Sequence, residues 1–106
     1  MSTGSANWSV TIEGRGRAGT VTYREGPESL ALYWEFGGGR ALVLITGPPP
    51  QDWDRVVSWA PGLGRRQEVM RRVAAEVIRQ KSPASTAEFG DDFCTILINM
   101  PSESQP

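Results

Sequence analysis

The chain has 106 residues, 39% of them hydrophobic and four of them tryptophan, which is enough for one core without help from a metal or a disulfide. Eleven basic against twelve acidic side chains leave a net charge of −1, so no overall field draws the molecule to nucleic acid or to an anionic membrane. The single cysteine, Cys94, excludes an internal disulfide and leaves the redox compartment undecided, with a better fit to a reducing cytoplasm.

The opening "MSTGSAN" has neither a basic start nor an apolar segment, and no run approaches membrane-spanning length, so a cytoplasmic protein is expected. Residues 1–7 and 101–106 are polar and read as flexible tails around a single domain at 8–100. "WSVTIE" alternates Trp8, Val10 and Ile12 with polar residues, the period of a strand with one buried face. "GRGRAG" reads as a turn. "TVTYR" and "SLALYWEF" repeat the alternation around the turn "EGPE". With Glu25 to Glu28 as that turn, Tyr23 is expected opposite Leu30 and Val21 opposite Leu32.

The next connection is "GGG" at Gly37 to Gly39. A phosphate-binding loop needs a helix after it, and a Walker motif needs Gly-Lys-Ser/Thr. "RALVLI" follows, a strand, so the glycines read as a hairpin loop, where glycine accepts positive φ. A turn at 37–39 would put Trp34 opposite Leu42 and Leu32 opposite Leu44. The expected core face then holds Val21, Tyr23, Leu30, Leu32, Trp34, Phe36, Leu42 and Leu44. The opposite face would gather Tyr33, Ala41, Val43 and Ile45 within a border of Thr20, Thr22, Arg24 and Glu35.

"QDWDRVVSWA" carries Trp53, Val56, Val57 and Ala60 at helical spacing, and Pro61, Gly62 and Gly64 are expected to end that short helix. "RRQEVMRRVAAEVIRQK" has one apolar stripe, Val69, Met70, Val73, Ala74, Val77 and Ile78, before the stop at Ser82 and Pro83. "FCTILIN" reads as a covered strand, with "STAEF" as a hairpin partner through "GDD". The expected fold class is α+β. An antiparallel sheet of five or six strands in a hairpin meander would carry one main amphipathic helix on one face and a short extra helix.

The residues form no recognisable family signature. No histidine is present to act as base for a serine or for Cys94, and one cysteine cannot make a structural zinc site, so no catalytic residue, metal site or cofactor is predicted. Cys94 within "FCTILI" reads as a buried inert thiol. Asp52 with Asp54, and Asp91 with Asp92, read as helix-start and turn residues rather than as paired acids. The segment 65–81 has six basic side chains against Glu68 and Glu76; Glu68–Arg72 and Arg72–Glu76 pairs would make it a solvated face. An RNA-binding sheet would need several exposed aromatics, and only Tyr33 is expected outside the core.

The partly apolar second sheet face is the remaining anomaly, and internal cover or an external partner explains it equally well. Two function classes follow. The first is a non-catalytic binding or assembly module, with Tyr33, Val43 and Ile45 as the interaction surface for a second copy or another protein. The second is a binder or enzyme for a small anionic ligand, using Arg40, Arg55, Arg65 or Arg66 with nearby carboxylates in a pocket.

Overall fold

The computed structural model describes residues 7–37 and 41–99. Six strands form one antiparallel sheet in the order β1-β2-β3-β4-β6-β5. The strands are β1 (Trp8–Arg15), β2 (Ala18–Glu25), β3 (Glu28–Phe36), β4 (Ala41–Thr46), β5 (Thr86–Phe89) and β6 (Thr95–Asn99). Helices α1 (Pro50–Val56) and α2 (Gly62–Lys81) lie between β4 and β5. The first four strands are a meander; the last hairpin then returns with β6 against β4 and β5 at the edge. The α+β architecture read from the sequence is the one observed.

The first two hairpins have tight turns with a left-handed glycine at the first central position, Gly16 at φ 64° and Gly26 at φ 58°. That is the conformation a two-residue hairpin requires and that a Cβ would oppose. The β2–β3 register agrees with expectation, Val21 opposite Leu32 and Tyr23 opposite Leu30. "GRGRAG" is less of a turn than it reads: Arg15 pairs with Ala18 and Gly14 with Gly19, so only Gly16 and Arg17 turn the chain.

The β3–β4 register differs. Trp34 stands opposite Ile45 and Phe36 opposite Val43, with the amide of Gly37 donating to the carbonyl of Leu42 at 3.0 Å. The displacement from the expected pairing is an odd number of residues, so the faces of β4 are exchanged. Val43 and Ile45 join the core face; Leu44, paired with Leu97 of β6, lies on the other. "ALVLI" is apolar at both parities, so its pattern holds no information on which side turns inward. The glycine residues 38 and 39, with Arg40, lie outside the described residues.

Both helices pack on one face. Ile45, Trp53, Val57, Val69, Met70, Val73 and Ile96 are fully buried in a single core cluster that also takes in Tyr23, Leu32 and Ile98. α1 is shorter than its apolar pattern, and Val56 is exposed while Trp53, Val57 and Ala60 are buried. Gly62 and Gly64 do not stop α1; they belong to the first turn of α2, whose first amide, on Gly62, donates to Asp54 Oδ1 at 2.8 Å. A capping aspartate on the preceding helix thus satisfies an otherwise orphaned N–H.

Candidate functional site

The residues expected to form an interaction surface are separated by the sheet. Tyr33 is half exposed on the helix-free face, whereas Ile45 is fully buried and Val43 packs against the core from the opposite side. The grouping of Tyr33 with Val43 and Ile45 is therefore corrected. Apolar residues that share the helix-free face with Tyr33 include Leu44 and Leu97, neighbours across the β4–β6 ladder.

The candidate anion-binding arginines do not converge. Arg40 lies outside the described residues. Arg55 is on the surface and pairs with Asp52 at 3.1 Å. Arg65 pairs with Glu25 of β2 at 2.6 Å and with Glu68 one turn along α2. Arg66 is buried, donating from Nε to the carbonyl of Asp92 at 2.7 Å, its guanidinium 5.9 Å from the Trp53 ring centroid. It lies one turn before Val69 and Met70, and so extends the apolar stripe of α2 with a cation whose stem is packed.

Around Arg65 a closed polar network ties α2 to β2. Arg72 Nη1 donates to the Tyr23 hydroxyl at 2.8 Å and to Glu25 at 3.3 Å, while Nη2 donates to Glu68 at 2.8 Å. Tyr23 donates to Glu25 at 2.5 Å, and its ring stacks between Trp8 and Trp59 at 6.1 and 6.3 Å. Burial, reinforced by its bond to Glu25, pushes the Tyr23 phenol up to about 12 against the pull of Arg72. Desolvation alone would raise Glu25, but hydrogen bonds from Tyr23 and Arg65 and the charges of Arg65 and Arg72 hold its carboxyl below the usual range. Two guanidinium groups face two carboxylates, so the network is electrically complete and acts as a clamp. The expected Arg72–Glu76 pair is not formed; Glu76 is taken by Arg79 at 2.8 Å.

The acids read as helix-start and turn residues are engaged locally, but neither Asp52 nor Asp54 caps α1. Asp54 caps α2, Asp52 pairs with Arg55, and Asp92 Oδ1 accepts the amide of Cys94 at 3.0 Å. Cys94 is buried, and burial, then the charge of Asp92, pushes its thiol up. Among the described residues no three potential ligands cluster to hold a metal ion, and no helix is long and apolar enough to cross a membrane.

A concave feature among the described residues lies elsewhere. A cleft of about 560 Å³ opens between the C-terminal part of α2 and the turn end of β1 to β4. Val77 and Lys81 line it from the helix, and Ile12, Gly14, Val21, Trp34, Phe36, Val43 and Ile45 from the sheet, with Glu13 at its margin. The sequence hides its construction. Gly14 and Gly19 face each other in neighbouring strands, and the Trp34 indole lies on them: a Cβ at Gly14 would overlap the ring, and one at Gly19 would stand 2.7 Å from Nε1. Trp34 Nε1 donates to the Glu13 carbonyl at 2.9 Å, which satisfies the only polar atom of the indole. Phe36 is held beside it, ring centroids 5.8 Å apart, by its amide bond to the Arg17 carbonyl. The signal available in the sequence was the glycine pair, which reads as part of a turn until the strands are registered.

Comparison with protein-family models, with curated proteins and with solved structures finds no match to this chain.

Proposed function

We propose that the protein is a non-catalytic binding module and that its site is the cleft between α2 and the Trp34 end of the sheet. The observation that carries this reading is a half-open cavity of about 560 Å³ walled by seven apolar side chains. That size and lining suit a small ligand or a partner's apolar side chain. Its charged side chain, Lys81, makes no ion pair among the described residues, and no pair of acids or nucleophile with its base lines the cleft, which supports binding over chemistry. The buried free thiol of Cys94 supports a reducing compartment such as the cytoplasm. Adding decanol should shift the Trp34 indole N–H resonance in a saturable way, and Val43→Phe, which fills the cleft, should abolish the effect. No shift at Trp34, or one that Val43→Phe leaves intact, would reject the reading.

A second reading, self-association through the helix-free sheet face, is favoured by the Leu44–Leu97 pair beside half-exposed Tyr33. An apolar centre bordered by Thr20, Thr22 and Thr46 has the composition of a homodimer surface. Sedimentation of the unmodified chain and of Leu44→Lys tests it: a dimer that the substitution dissociates supports assembly, and a monomer at high concentration refutes it.

A further inference from the structure

We infer that the ligand of the cleft is a hydrocarbon carboxylate, its apolar body lying along Trp34 and its carboxylate at Lys81. This rests on the cleft being a binding site, as proposed above. The interior decides the body. Ile12, Val21, Val43, Ile45 and Val77 present only hydrocarbon, and the indole N–H of Trp34 is already used by the Glu13 carbonyl. A sugar, a nucleotide or a peptide backbone placed there would lose water and gain no hydrogen bond in return. The ligand body must therefore carry no polar atoms.

The mouth decides the head group. Lys81, the last residue of α2, is exposed at the rim and has no ion-pair partner within 4.0 Å among the described residues. The other basic side chains of α2 near that end are differently placed, since Arg79 is bound to Glu76. On the sheet side, exposed Arg17 follows the glycine turn, and its carbonyl bond to Phe36 sets it at the same end of the cleft. Glu13 is the opposing charge at the margin; strand alternation assigns its side chain to the other face, because Ile12 and Gly14 on either side of it line the cleft. An anionic head group at the rim thus meets Lys81, with Arg17 at the same end of the sheet, while a cation would meet like charge.

The test is a titration of the full chain with decanoate and with decanol, read by the Trp34 indole N–H resonance, for the unmodified protein and for Lys81→Gln. The ratio of decanoate to decanol affinity should fall about fivefold in Lys81→Gln, the factor expected of one partly screened ion pair, and should fall again with added salt. A ratio that Lys81→Gln leaves unchanged, with both ligands still binding, overturns the carboxylate inference and keeps the cleft as an apolar site. If neither ligand moves Trp34, both readings fall together.

Discussion

The indole of Trp34 occupies the space that a side chain on Gly14 would need, and from that position it forms part of the lining of the cleft between sheet and helix. The two residues are far apart in sequence and on non-adjacent strands. β2 lies between them, and it too carries a glycine, Gly19, at the crossing point. The ring therefore lies flat across β2 and reaches the Glu13 carbonyl.

Gly14→Ala should consequently displace the indole and break its hydrogen bond. The expected cost is about 1–3 kcal/mol, the usual range for forcing extra volume into a packed site. Urea denaturation measures the loss. The Trp34 N–H resonance should move toward its solvent-exposed position, and a variant as stable as the parent with that resonance unmoved would contradict the packing.

The β3–β4 register predicts opposite outcomes for adjacent residues. Val43→Lys directs a charge toward Ile98 and the helix side and should destabilise by on the order of 2–4 kcal/mol. Leu44→Lys on the helix-free face should stay within about 1 kcal/mol of the parent. Exchange of the two results would restore the register in which Trp34 faces Leu42.

Glu25 links stability to pH. Its carboxyl is held below the usual value of about 4.5, so the unfolded chain takes up this proton at higher pH than the folded one. The contribution of Glu25 is therefore complete above the unfolded value and is lost as pH falls through the folded one. Denaturation curves from neutral to acidic pH should show the loss, and Glu25→Gln should be less stable at neutral pH and flatter in that acidic window. An unchanged acid profile in Glu25→Gln would show that the clamp to Arg65 and Arg72 contributes nothing.

At the alkaline end, Tyr23 works in the other direction. With its phenol pushed up to about 12 from 10.0, the folded chain keeps a proton that the unfolded chain releases, and stability should fall as pH rises through that interval. Titration of tyrosinate absorbance in a Tyr33→Phe variant isolates the group. A midpoint near 10.0 in the folded state would refute the buried Tyr23–Glu25 bond.

Cys94 should react slowly with a thiol reagent in the native protein and rapidly once denaturant is added, because its side chain is buried and its thiolate disfavoured by burial and by Asp92. Rapid stoichiometric labelling of the native chain would reopen a chemical role for it.

The sequence by itself determined the elements whose two faces differ. β1 to β3 alternate apolar and polar residues, so only registers of one parity bury Val21, Tyr23, Leu30 and Leu32 together and the turn at Gly26 selects among them, while the stripe of α2 from Val69 to Ile78 has one side to bury. Tertiary structure decided what local pattern leaves degenerate. "ALVLI" satisfies either face, and Val43 and Ile45 turn inward in the register that sets them beside Ile98 and Ile96 of β6, a strand far along the chain. Arg66 reads as one more surface cation, yet lies buried because the Asp92 carbonyl and the Trp53 ring meet it there. The cleft is the clearest case. A cavity is the volume that separate elements fail to fill, and its walls from Ile12 to Lys81 come together only when α2 crosses the sheet at the place where Gly14 and Gly19 let Trp34 lie flat.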